Sequence, residues 1–347
     1  MTSILSVSTI VKVLLIGTLM MRFAVFSSFG EGGEACANRA LNLGFYAYFE
    51  PVSFSAATDP DSADYNLHRG YEADLFTALE AMEGAGLSFN RQAISDWDGI
   101  WLRSANPEYD IIGGGITILE SRRRDRSGAE AITFTSGHIA FRQSLLVRAE
   151  DTQRLKTHAD LTSADRVGVL AGTTGEERLL QLVGLVDEEG VLADGVHVET
   201  ADGVIIADGS ADFLITAAGA SNALVERQGL YRPDTGPQVI YLGSRIGDIE
   251  LLEALANAEI DAVARGEIGN RDAARDSEGS FAVTALDDRP EYGGFTLDID
   301  NAELAACLDA LLDWLTDNRR IGYGEWLDDP AIFLKRGNLW NEKRSEC

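Results

Sequence analysis

The segment Gly113–Arg124, GGGITILESRRR, runs three glycines and a β-branched stretch into three consecutive arginines, in a chain of formal net charge −27. Guanidinium groups gathered in so acidic a protein are placed to meet an anion, because a planar guanidinium offers paired donors to a carboxylate, a geometry lysine cannot copy. The competing reading is a solvated face on which these arginines trade with neighbouring carboxylates. A second candidate anion site is Thr173 and Thr174 of AGTTG, where the pattern predicts a strand meeting a helix. The first N–H groups of that helix and a hydroxyl suit a carboxylate, and an ordinary helix N-cap uses the same residues. His68, His138, His158 and His197 are scattered, with no pair at metal-ligand spacing, so neither a metal nor a cofactor is expected. A nucleophile elbow and a complete dinucleotide fingerprint are both missing from the sequence.

The elements that must position these groups are bounded by length and composition. At 347 residues, 45% of them hydrophobic, the chain has material for two cores. The only lysines are Lys12, Lys156, Lys335 and Lys343. Such an acidic surface argues against binding nucleic acid or an anionic membrane.

The segment ILSVSTIVKVLLIGTLMMRFAVF, followed by SSFGEGGEACA, reads as a signal peptide over residues 1–37, with Ala35 and Ala37 as the small residues before a cleavage site. A retained membrane anchor is the competing reading. This boundary puts Cys36 in the removed part, and it leaves Cys307 and Cys347 with no spacing that demands a bridge.

From Asn38 onward strand and helix patterns alternate. ALNLGFYAYF reads as a strand. YEADLFTALEAMEGAG reads as a helix with Leu75, Ala78, Leu79 and Met82 on one face. LSFNRQAI is a strand, SDWDGIWLRSA a helix capped at Ser95 or Asp96, and YDIIGGGITI a buried strand. FRQSLLVRA, DRVGVLAGTTG and EERLLQLVGLV repeat the alternation. The stretch between Gly195 and Gly243 differs, alternating around Asp-Gly turns like an antiparallel hairpin. AELAACLDALLDWLTDN carries an apolar stripe at Leu304, Leu308, Leu311, Leu312 and Leu315. The architecture implied is α/β in two lobes.

In order, GFYAYFEPVSF, GYEADLFTAL, ISDWDGIWLRSANPEYDIIGGGITILESR, FTSGHIAFRQSLLVR, VGVLAGTTGEERL, LLEALANAEIDAV and EYGGFTLD resemble the extracytoplasmic solute-binding proteins of polar amino-acid ABC transporters. That family shares its ligand-binding core with ionotropic glutamate receptors. The resemblance spans most of Leu41–Leu315 and implies a type II periplasmic-binding-protein clamshell, each lobe a mostly parallel sheet flanked by helices. Lobe 1 would comprise residues 38–140 and 271–347, and lobe 2 residues 141–270 with an insertion at about 195–243. The hinge would lie near Phe134–Ser144, and the chain would return after about Asn270.

By the same resemblance, Arg122 grips a ligand carboxylate, with Thr117 five residues before it. Gly113–Gly115, and Gly115 in particular, bring backbone close to the ligand. Trp97 and Phe49 form aromatic walls, Tyr46 lies near a missing acidic contact, and Thr173 and Thr174 complete the site. The ammonium-binding acid is displaced: Gly266 stands at its place and Glu267 follows, while Asp261 reads as structural. If no acid reaches the cleft, a carboxylate lacking an α-amino group becomes an alternative ligand. The function implied is a monomeric, periplasmic binding protein that delivers an amino acid or small carboxylate to an ABC permease. The alternatives are a cyclohexadienyl dehydratase-like enzyme, with Glu267 as the available general acid, and a sensor input domain.

Overall fold

The computed structural model describes Cys36, residues 39–242 and residues 249–345. The leader expected over 1–37, apart from Cys36, lies outside the described residues, and so do Asn38 and Cys347. Two α/β lobes are present, each with its own sheet and core.

In lobe 1 the strand Arg39–Tyr46 is central, parallel to Leu87–Ile94 on one side and to Ile111–Gly113 on the other. Leu41, Leu43 and Phe45 alternate along this internal strand, so they share one covered face, and all three are fully buried. Thr296–Asp298 and Ile132–Phe134 add two antiparallel pairings and complete five strands. The helix Tyr71–Ala81 buries Leu75, Ala78 and Leu79, the face its spacing predicts, and Met82 caps it. The helix Ala302–Leu315 buries all five leucines of its stripe. The helix expected from Ser95 starts later. Gly99, at φ 66, breaks the chain before a 3-10 segment over Ile100–Ala105, so Trp97 stands on the turn ahead of it.

Lobe 2 orders its strands Gly203–Ile206, His197–Thr200, Arg227–Arg232, Thr235–Tyr241, Arg166–Val169, Ala262–Gly266, Ile139–Arg148, Phe281–Thr284. Only the pairings of Arg166–Val169 with its two neighbours are parallel, so this sheet is mixed, in place of the mostly parallel one expected. Hairpins pair antiparallel, and the added strands connect by hairpins without crossover helices. The expected insertion also needs trimming. Thr235–Tyr241 runs parallel to Arg166–Val169 as a core strand, whereas the strands from His197 to Arg232 extend the edge.

The strand Ile139–Arg148 links the lobes where the hinge is expected. Its first half pairs with the return strand Pro290–Gly293 and its second half with the lobe 2 sheet. Phe281–Thr284 still belongs to lobe 2, so the chain returns at Pro290–Gly293 and not after Asn270.

Cys36 and Cys307 form a disulfide. This conflicts with a boundary after Ala37, which would discard a cysteine bonded into the lobe 1 core. Among the described residues no helix is long and apolar enough to cross a membrane.

Candidate functional site between the lobes

The turn after Ile111–Gly113 explains how Arg122 is aimed. Gly114 and Gly115 have φ of 136° and 65°, backbone that side chains rarely adopt. Their N–H groups donate to the buried Glu72 carboxylate at 2.7 and 2.9 Å, and His138 Nε2 lies 3.1 Å from the same group. The glycine backbone expected to face a ligand is therefore committed to Glu72. A Cβ on Gly115 would stand 2.4 Å from the Phe49 ring, so glycine lets that ring close over the turn. Past Thr117, the 3-10 turn Ser121–Arg123 sends Arg122 inward and leaves its neighbours outside. Arg123 meets Glu120 at 3.3 Å and Arg124 meets Glu130 at 3.1 Å, as partly exposed pairs.

Arg122 is 1% exposed, and every hydrogen-bond acceptor it has is a backbone carbonyl. Its Nε and one terminal nitrogen donate to Ala217 O at 3.1 and 3.0 Å, and the other terminal nitrogen donates to Thr117 O at 3.2 Å. Gly172 O accepts at 3.4 Å. The guanidinium lies over Trp101, 4.4 Å from the ring centre, with Trp97 at 5.5 Å. No carboxylate among the described residues reaches ion-pair distance. Burial accordingly pulls its pKa down to about 10, against the opposing pull of Glu291 and Glu177. Ala217 sits at the tip of the hairpin Ile215–Thr216/Gly219–Ala220, and its own N–H donates to Glu177 at 3.2 Å. Lobe 2 thus closes onto Arg122 through two carbonyls, and Trp97 Nε1 adds a bond to Gly172 O at 2.9 Å.

Beside Arg122 lies a cavity of about 80 Å³, lined on one side by Tyr46, Phe49, Trp97, Gly115 and Thr117, and on the other by Gln143, Thr173, Thr174, Gly175 and Arg265. Pockets for drug-sized ligands run roughly 300–1,000 Å³, so the closed lobes admit only a small occupant. The structure therefore brings eight of the nine expected site residues together. Glu267 is the exception. Its carboxylate pairs with Arg142 at 3.5 Å and Arg271 at 3.2 Å, away from this cavity. The helix Glu267–Asp276 begins at that residue, and its first turn directs the side chain along the lobe surface. Asp261 is held by Arg148 at 3.2 Å, outside the cavity lining.

The two threonines divide the labour. Thr173 caps the helix Thr174–Leu182 by accepting from Glu176 N at 3.2 Å, and its hydroxyl donates to Leu170 O at 2.7 Å. Thr174 faces the cleft, with its hydroxyl 3.4 Å from that of Thr117 across the lobes. This contact separates the small cavity from a second one of about 490 Å³, whose wall includes Glu177, Arg178, Arg289, Glu291 and Arg319.

Sequence reasoning misses Gln143, Glu291 and Ala217. Gln143 Nε2 donates to Thr174 Oγ1 and to Glu291, both at 3.0 Å. Burial pushes the Glu291 carboxyl up, opposed by hydrogen bonds from Thr174 and Gln143. A glutamine and a glutamate on hinge strands resemble any other strand residue; no local signal marks them.

No protein-family profile matches the chain, and no curated protein matches it either. Solved structures do. Holo ArgBP from T. maritima is 17% identical, with a TM-score of 0.52 over 83% of this chain and 96% of that one. An ABC uptake transporter substrate binding protein from Streptococcus pneumoniae with bound histidine is 16% identical, at 0.52 over 87% and 92%. The ancestral amino acid-binding protein AncCDT-1, a precursor of cyclohexadienyl dehydratase, is 17% identical, at 0.51 over 87% and 94%. The two-lobed fold is common to all. At such identities the likeness speaks for the fold.

Proposed function

We propose that this chain is an extracytoplasmic binding protein that captures an amino acid or related small carboxylate between its lobes and presents it to an ABC transporter. One observation carries the reading: a fully buried guanidinium, without an anionic partner among the described residues, stands beside a small interlobe cavity. An anion there gains a charge-assisted pairing in a largely dry site. The donors available to it are the remaining N–H of the Arg122 terminal nitrogen that meets Thr117 O, and the first-turn N–H groups at Thr174 and Gly175, which have no partner within the helix. Because Arg122, Trp97 and Thr117 belong to lobe 1 and Gly172, Thr174 and Ala217 to lobe 2, a ligand held by both sets favours the closed state by its differential affinity.

The Cys36–Cys307 disulfide supports export, since such bonds persist in oxidising compartments, and it favours a leader boundary upstream of Cys36. Calorimetric titration with the common amino acids is expected to reveal at least one tight, unconsumed ligand. Arg122→Ala is expected to lose at least about 100-fold in affinity. A folded Arg122→Ala protein with unchanged affinity would refute the assignment.

A dehydratase-like enzyme is the second reading, and Glu291 is what favours it. With Glu267 tied to two arginines, Glu291 is a partly buried carboxyl at the cleft whose raised pKa suits a general acid. Loss of prephenate absorbance on incubation with the protein would select this reading over transport.

A further inference from the structure

Gln143 is 3% exposed, and its side-chain carbonyl oxygen has no hydrogen-bond partner among the described residues. A buried acceptor left unpaired costs free energy, so it marks a place where a donor is wanted. The oxygen's direction is held by its surroundings. On the other side of the amide, Nε2 donates to the Glu291 carboxylate and to the Thr174 hydroxyl. Turning the amide over would set its oxygen against a carboxylate, which accepts and cannot donate when ionised. Gly175 keeps the oxygen uncovered: a Cβ there would stand 3.3 Å from it and 2.9 Å from the Arg265 backbone. Gln143 and Gly175 both line the same small cavity as Arg122, and no Asp or Glu lines it among the described residues.

We infer that Gln143 is a specificity residue of the proposed ligand site, its amide oxygen accepting a hydrogen bond from a donor carried close to the ligand's carboxylate. The inference rests on the binding-protein reading and deepens it by naming the ligand class. In a cavity of about 80 Å³, a group reaching Gln143 Oε1 while the carboxylate meets Arg122 sits within an atom or two of that carboxylate. An amino or hydroxyl group on carbon 2 meets this requirement. The reader is a neutral amide, so an ammonium gains no ion pair over a hydroxyl. Small 2-amino and 2-hydroxy acids are held alike, and acids without the donor are rejected because they leave the buried oxygen unpaired.

The experiment is calorimetric titration of the protein with three matched series: L-alanine, L-lactate and propanoate; L-leucine, L-2-hydroxy-4-methylpentanoate and 4-methylpentanoate; L-phenylalanine, L-3-phenyllactate and 3-phenylpropanoate. In any series that binds, the amino and hydroxy acids are expected within about tenfold of each other and the unsubstituted acid about 100-fold weaker. Gln143→Leu is expected to collapse the hydroxy-to-unsubstituted ratio below about threefold. Gln143→Met serves if the leucine variant does not fold. Glu291→Gln, which frees the amide to turn over, is expected to narrow the same ratio, a readout that loss of stability alone would not move. A wild-type protein that holds all three members equally, or a Gln143 variant that keeps the full ratio, overturns the inference and leaves the binding reading standing. If no probe and no common amino acid binds, the binding reading falls and takes this inference with it.

Discussion

The two cavities that meet at the Thr117–Thr174 contact are made of opposite materials. The smaller is walled by Tyr46, Phe49, Trp97 and Phe141, with a buried guanidinium at one end. The larger, about 490 Å³, is walled by charges of both signs, among them Arg178, bound to Asp287 at 2.6 and 3.1 Å, and Arg319, 3.7 Å from Asp313. Volume alone would choose the larger as the binding site. Electrostatics chooses the smaller, because a charge gains most from a new partner where water is excluded and no counter-ion is already present. The wall between them is one hydroxyl from each lobe, Thr117 and Thr174, 3.4 Å apart.

That contrast can be broken. Trp97→Ala removes an interlobe hydrogen bond to Gly172 and one aromatic face near Arg122, and is expected to weaken ligand binding by about 1–3 kcal/mol, or about 5- to 150-fold by calorimetry. Trp97→Phe, which keeps a ring but no donor, separates the two contributions.

Acidification comes next in size. Burial raises the Glu291 pKa in the closed structure, so the closed form binds that proton more tightly than an open form in which the group is hydrated. The penalty for closure is full above the raised value. It is relieved as pH falls through that value toward the ordinary 4.5. Lobe closure followed by small-angle scattering is expected to increase a few-fold over this interval. The dependence disappears in Glu291→Gln, and an unaltered pH profile in that variant would remove Glu291 from the account.

The smallest effect is expected in the larger cavity. Arg319, half-exposed and 3.7 Å from Asp313, is screened by solvent, so Arg319→Ala is expected to change affinity by less than about twofold. A tenfold loss there would show that the larger cavity is the occupied one.

Much of this is legible in the chain because it is written locally. Helix faces at Leu75–Met82 and Leu304–Leu315, the glycine turn that follows Ile112, and the threonine cap at Thr173 depend on residues within a turn or two. The misreadings share a cause as well. Residue type makes a cap at Ser95 plausible and so places Trp97 in a helix, but Gly99 overrides it. Glu267 is a fair candidate by distance along the chain, but helix geometry and two arginines draw it elsewhere.

Sequence was enough to specify two α/β lobes and an acidic surface, since periodicity, net charge and residue type are properties of the chain itself, and the family resemblance picked Arg122 out of its arginine run. Folding in three dimensions decided which partners that arginine would have. Ala217 reaches it from 95 positions away, and Gln143 meets Glu291 across 148. Contacts between distant segments depend on how the lobes close, and hydrogen bonds, which act over a few ångströms, leave no periodic trace by which a linear reading could find them.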